Sequence, residues 1–275
     1  MFGLNTKDIL IRNDYQAGET FAFNSSDSRE VFQKNLKKMG STWKYASKPI
    51  KYQYNSLGYR TVEFDQIVDN HIAAFGCSYT EGIGLAEDEM WTTKLEKLTG
   101  KQVVNLAQGS TGPDFVFMNN MKYFQYCKKR NIKPSTVVIQ WSFAHRRTFL
   151  EIVPWDQDNI RMMQFWSPDS PTPSFQREEH RLDWEWYMKR YIADNGEITY
   201  NTYFYPLYVN YIWEGIGTKV IHWSWKDDFM PFSFFKDYPL DHFEVTGVND
   251  DFARDLAHNG DTDHTLAVNE IYKRL

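Results

Sequence analysis

The feature that most constrains the fold is an alternation between residues 71 and 143. "HIAAFGC" (71–77) is a short apolar run ending in small residues, consistent with a buried strand. "EDEMWTTKLEKLTG" (87–100) places Trp91, Leu95 and Leu98 at helical spacing, with acids at its start and Gly100 as a stop. "QVVNLA" (102–107) is a second buried strand. "PDFVFMNNMKYFQYCKKRN" (113–131) opens with Pro at a first helical position and repeats apolar residues three and four apart. "STVVIQWSF" (135–143) is a third strand. Strand, helix, strand, helix, strand means βαβ units, a parallel sheet, and helices on both of its faces.

The pattern then breaks. Residues 144–198 are rich in Pro, Trp, Arg and acids and read as an insertion, with "WSPDSPTPSF" a loop. A helix over 199–216 follows, with Pro206 a potential kink. "TKVIHWSW" (218–225) is a fourth strand, 226–250 an irregular aromatic stretch, and 264–275 a closing amphipathic helix. Residues 1–64 show turn signals but little periodicity, and read as an N-terminal extension packed on a main domain spanning 65–275.

Composition excludes several functions. With 275 residues, 42% hydrophobic and 24% charged, the chain has enough apolar material for a real core. A net charge of −5 argues against a nucleic-acid binder, and "KKRNIK" (128–133) reads as a solvated helix end. No apolar run reaches the roughly 18–20 residues that span a bilayer, and the N-terminal stretch lacks a signal-peptide core. The expectation is a chain without signal peptide, cytoplasmic, or a virion component if of phage origin. Two cysteines, Cys77 and Cys127, fit a reducing compartment and are too few for a Cys-based zinc site. The aromatic content, 17% with ten Trp, fits either a core of bulky residues or a surface that stacks on sugar rings.

Chemistry concentrates in two places. In an open parallel sheet, ligands sit at the carboxyl ends of the strands, and "GCSYTEG" follows the first strand there. Cys77 and Ser78 are both nucleophiles by type. Gly76 and Gly82 permit a tight strand-to-helix turn that would expose a side chain and aim backbone N–H groups at a ligand. Serine needs a general base and a group to orient that base. "ARDLAHNGDTDH" (253–264) offers Asp255 and His258, spaced so that a turn lets the carboxylate reach one imidazole nitrogen while the other points away.

These blocks resemble the SGNH (GDSL-like) hydrolase superfamily: "FGCSYTEG" as its first block, "DLAH" as its Asp-x-x-His block, and His264 as the second histidine that opens the last helix in many members. "YQYNSLGYRTVEF" (52–64) also resembles a segment of some SGNH-like proteins, including ones from bacteriophages of aquatic bacteria. The likeness covers about 50–150 and 199–275. It implies an α/β fold, a three-layer α/β/α arrangement on a flavodoxin-like parallel sheet of about five strands, with the N-terminal extension and aromatic-rich insertions added. By residue, it implies Ser78 as nucleophile, His258 as base and Asp255 as its orienter. Oxyanion donors would be the Ser78 N–H, Gly109 of "NLAQGSTG" (Ser110 as its neighbour), and Ser142, which falls where the family's third block has Asn. Arg146 and Arg147 are candidates to bind an anionic group of the substrate, with a structural ion-pair role for at least one of them as the alternative, and Tyr79 is a further candidate substrate contact. Two departures stand out: Cys77 replaces the family's Asp, and "IQWSFAHRR" lacks the Gly-x-Asn-Asp of the third block.

The expected activity is hydrolysis of a carboxylic ester, with an O-acetyl group on a glycan as the candidate, through an acyl-enzyme and without cofactor or metal. The expected partners are a small-molecule or glycan ester, no nucleic acid and no membrane, with homo-oligomer or virion assembly left open. Competing readings are a metal site in "DLAHNGDTDH", Cys77 as nucleophile, and an SGNH-fold carbohydrate-binding or virion structural module without activity.

Overall fold

In a computed structural model of the chain, the residues described are 2–5, 10, 13, 15–24, 26–144, 146–152, 159–165, 182, 185–186, 196–226, 240–248 and 251–275. The strands are β1 (Phe2–Asn5), β2 (Thr20–Phe21), β3 (Tyr52–Gln53), β4 (Ile72–Phe75), β5 (Val103–Asn105), β6 (Thr136–Gln140), β7 (Arg147–Ile152), β8 (Asn159–Phe165), β9 (Lys219–Trp225) and β10 (His242–Val245). The helices are α1 (Arg29–Met39), α2 (Ser78–Glu81), α3 (Trp91–Thr99), α4 (Pro113–Arg130), α5 (Gly196–Glu214) and α6 (Asp261–Tyr272).

The main sheet has five parallel strands in the order β10-β9-β6-β4-β5. Numbered by first appearance within the sheet, that is 2-1-3-4-5 read from the other edge, the flavodoxin-like order. Every residue of β4 and β6 is buried, which explains their unbroken apolar character. Period two divides β4 between two cores. Ala73 and Phe75 pack with Val137, Ile139, Val116 and Tyr123 of α4, and Val209 and Trp213 of α5. Ile72 and Ala74 pack with Trp91 and Leu95 of α3, and Ala267, Val268 and Ile271 of α6. Helices thus cover both faces, giving three α/β/α layers.

Helix boundaries follow local chemistry. Pro113 opens α4, and Asn131 closes it at φ 53°, a left-handed position that Asn tolerates. Pro206 lies inside α5. The expected helix over 87–100 divides into a 3₁₀ turn at Glu87–Glu89 and α3. Several elements were not anticipated: α1, β10, and the strands β1, β2, β3, β7 and β8 outside the expected alternation. Helix α1 is capped by Ser28, whose hydroxyl accepts from the Val31 N–H at 3.2 Å. Strand β10, the fifth of the sheet, lies in the stretch read as irregular.

Within 144–198, β7 and β8 form an antiparallel pair, and β1 from the N-terminus adds to β8. The N-terminal segment also carries the antiparallel pair β2–β3. Its Arg60 guanidinium, buried over the Tyr52 ring, donates to the carbonyls of Lys51, Glu81, Gly82 and Leu85. Two of these carbonyls, Glu81 and Gly82, belong to the turn that carries Ser78, so residues 52–64 brace that turn from outside the sheet.

Candidate active site

Strand β4 is the point where the strand order reverses, with β5 on one side and β6 on the other. Crevices open beyond the carboxyl ends of strands at such points. The chain leaves β4 through Gly76, where a Cβ would sit 2.3 Å from Thr80 Oγ1. Only glycine allows the short helix α2 to fold back this closely. Cys77 is the extended residue before α2, and Gly82 ends it at φ 81° in the left-handed region, its N–H returning to the Ser78 carbonyl at 3.0 Å. Ser78 therefore opens a single helical turn at the head of the sheet.

The second half of the site comes from the loop before α6. Gly84, at φ 77°, lets that loop approach: a Cβ there would lie 2.8 Å from Ala253 Cβ and 3.2 Å from Asp255 Oδ1. The Arg254 N–H donates to the Gly84 carbonyl at 2.9 Å. Asp255 Oδ1 accepts from the N–H groups of Ala257 at 3.0 Å and His258 at 3.1 Å, which holds the turn. Leu256 within it takes φ 56°, a strained value for a branched side chain.

These two halves meet. His258 Nε2 lies 2.8 Å from Ser78 Oγ, and His258 Nδ1 lies 2.6 Å from Asp255 Oδ2. An ionised carboxylate only accepts, so Nδ1 carries the proton and Nε2 offers its lone pair to the serine. Burial pushes the Asp255 carboxyl up, but hydrogen bonds and charge from His258, with the Ser26 hydroxyl and the Ala257 N–H, outweigh it and hold the group below its usual range. Tyr79 stands edge-on to the imidazole at 4.8 Å between ring centres and to Trp225 at 6.0 Å.

The other expected site residues fall differently. The Gly109 α-carbon lies against Ser78, since a Cβ there would be 3.7 Å from Ser78 Cβ. Its N–H, however, donates to the Glu81 carboxylate instead of facing the serine. The Ser142 hydroxyl, fully buried, donates to the Thr111 carbonyl at 2.9 Å. Two of the three expected oxyanion donors, the Gly109 N–H and the Ser142 hydroxyl, are therefore each hydrogen-bonded within the protein. Arg146 stacks over the Phe143 ring at 4.5 Å. Arg147 opens β7, and its side chain lies outside the described residues.

Cys77 is buried, its thiol 3.3 Å from Gln140 Oε1. His264 Nδ1 accepts the Trp91 N–H at 3.0 Å, and burial pushes its pKa down to about 3. That histidine is a neutral tie between α3 and α6. Among the described residues no group of three or more His, Cys, Asp or Glu is arranged to hold a metal ion, and no helix is long and apolar enough to cross a membrane.

Sequence reasoning passed over Ser26, Asp27, Tyr54, Glu81 and Arg254. Ser26 donates to Asp255 Oδ2 at 2.7 Å. Asp27 forms a buried ion pair with Arg254 at 2.6 Å. Tyr54 donates to Glu81 at 2.6 Å. Nothing local in the sequence marks these distant partners.

No family model and no curated protein matches the chain. Three solved structures are similar to it. A protein assigned to the G-D-S-L lipolytic family, from Desulfitobacterium hafniense DCB-2, is 11% identical, with 75% of this chain and 100% of that one covered and a TM-score of 0.43. An acetyl xylan esterase (Est2A) from the rumen bacterium Butyrivibrio proteoclasticus is 13% identical, covering 76% and 64%, at 0.42. A carbohydrate esterase whose active site is described as having divergent catalytic and non-catalytic binding functions is 10% identical, covering 83% and 80%, at 0.43.

Proposed function

We propose that the chain is a serine esterase of the SGNH type. The single observation that supports this most is the continuous chain of hydrogen bonds from Ser78 Oγ through His258 to Asp255, at 2.8 and 2.6 Å. In the proposed reaction His258 Nε2 takes the Ser78 proton as Oγ attacks the ester carbonyl. Asp255 stabilises the imidazolium that forms. The tetrahedral intermediate collapses to an acyl-enzyme as His258 gives that proton to the departing alkoxide. Water, deprotonated by the same nitrogen, then releases the acid and restores the serine. The Ser78 N–H is the backbone donor for the oxyanion; Gly109 joins it only when its N–H leaves Glu81. Tyr79 offers an aromatic face beside His258, which suits an acetylated sugar as substrate.

The engaged states of Gly109 and Ser142 favour a second reading, an SGNH-fold module that binds carbohydrate or builds a virion without catalysis. An organophosphonate probe and p-nitrophenyl acetate separate the two. The esterase reading expects labelling at Ser78 and release of p-nitrophenol, both lost in Ser78→Ala with the fold intact. A wild-type protein that gives neither, yet binds polysaccharide or assembles into particles, overturns it.

A further inference from the structure

The Asp255 carboxylate is buried, and its four hydrogen bonds are all accounted for: Ala257 and His258 N–H on Oδ1, His258 Nδ1 and the Ser26 hydroxyl on Oδ2. Three of the four come from its own loop. The fourth crosses from the N-terminal segment, and it falls on the same oxygen that holds the imidazole. An oxygen that accepts two donors has its direction fixed by both.

The turn that carries Ser26 is itself fastened to both halves of the site. Asn24 and Asp27 close it by exchanging backbone hydrogen bonds at 3.2 and 2.9 Å. Asp27 then accepts two donors from the Arg254 guanidinium, Nε at 2.9 Å and Nη2 at 2.6 Å, and Arg254 is the residue before Asp255. On the other side, Asn24 Nδ2 donates to Tyr54 Oη at 2.5 Å, and Tyr54 donates to Glu81 in the helix that starts at Ser78. The Ser26 hydroxyl is thus held at a fixed place relative to both the serine and the acid. Ser26 is otherwise exposed, so without its hydroxyl Oδ2 would face water.

We propose that Ser26 is a positioning residue: its hydroxyl fixes Asp255 Oδ2 and, through it, the His258 ring that faces Ser78. This rests on the esterase reading for its effect on rate, but the positioning itself is open to test without turnover. The hydroxyl also withdraws charge from the carboxylate. Ser26→Ala should lower kcat/KM for p-nitrophenyl acetate by about tenfold, from loss of one hydrogen bond to a charged group. Most of that should lie in kcat, with KM little changed. Ser26→Thr, which keeps the hydroxyl, should restore kcat.

The second measurement is the exchange of the His258 Nδ1 proton with water, read from its downfield proton resonance. It should be slow in the wild-type protein and in Ser26→Thr, and faster in Ser26→Ala. If Ser26→Ala matches the wild-type protein in exchange, the proposal is overturned whether or not the protein turns over ester. If exchange quickens in Ser26→Ala while the wild-type protein neither labels nor hydrolyses, positioning stands and the esterase reading falls.

Discussion

The Glu81 carboxylate, fully enclosed one helical turn past Ser78, takes the N–H of Gly109. It also accepts from Tyr54 and from Gln16 Nε2, the latter at 3.3 Å. One buried acid therefore joins the helix that starts at Ser78, the loop after β5 and the N-terminal segment. Its position inside α2 explains why the Gly109 loop lies so close to the serine while its N–H points elsewhere.

That acid makes a pH prediction. Burial pushes the Glu81 carboxyl up, and donation from Tyr54, the charge of Arg60 and donation from Gly109 and Gln16 only partly offset it. A group whose folded pKa lies above its unfolded value binds more protons when folded, so its contribution is full below the ordinary Glu range and fades as pH rises through the folded pKa. Glu81→Gln removes this loss. Relative to the wild-type protein, the variant should gain in melting temperature as pH rises from mildly acidic to neutral. A constant difference across that range would show that Glu81 does not titrate there.

A second prediction concerns Arg254 and Asp27, both buried. Arg254 also donates to the Ala22 carbonyl at 2.6 Å and lies over the rings of Phe23 and Phe32. Removing one member of a buried pair leaves an uncompensated charge and typically costs about 3–5 kcal/mol. Arg254→Ala should fall in that range in urea unfolding. Arg254→Lys should cost less but still measurably, since an ammonium cannot present the two parallel donors that Asp27 accepts. An Arg254→Ala protein as stable as wild type would mean that the N-terminal segment docks by other contacts.

The parallel sheet was legible because parallel strands are buried on both faces and read as apolar runs, as Ile72–Phe75 and Thr136–Gln140 do. The nearness of Ser78 to Asp255 and His258 was legible only through spacing and family likeness. Strand β10 escaped because four residues, with His242 and Glu244 among them, carry no apolar run of their own. Helix α1 escaped although Ser28, Glu30 and the late Lys37 and Lys38 are start and stop signals; its single buried residue is Asn35, so no apolar stripe announced it. The engagement of Gly109 and Ser26 depends on partners 28 and 229 positions away, and no periodicity encodes such pairings.

A third prediction settles the two neighbours that opened the question of the nucleophile. The Cys77 thiol is buried and spends itself on Gln140 Oε1, which also accepts the Thr80 hydroxyl at 3.3 Å. Cys77→Ala should cost about 1 kcal/mol or less and leave ester hydrolysis in place. Cys77→Asp brings a carboxylate against the Gln140 amide oxygen and should destabilise by more than about 2 kcal/mol. Loss of hydrolysis in Cys77→Ala with the fold retained would transfer the nucleophile role from Ser78.

The fourth concerns His264, whose pKa burial drives to about 3, with the charges of Lys94 and His258 acting the same way. Folded, it stays neutral well below the ordinary range; unfolded, it binds a proton below about pH 6.5. The unfolded state therefore holds the extra proton in the window between about 3 and 6.5. Stability falls as pH falls through it, by up to about 1.4 kcal/mol per pH unit for this one group. His264→Asn should keep an acceptor for the Trp91 N–H while removing the proton-binding nitrogen. Its stability at neutral pH should lie close to wild type or somewhat below. Between pH 6 and 4 its urea midpoint should decline less steeply than that of the wild-type protein. Equal slopes would place the acid sensitivity on other groups, the buried His222 first among them, since burial drives that pKa to about 3 as well.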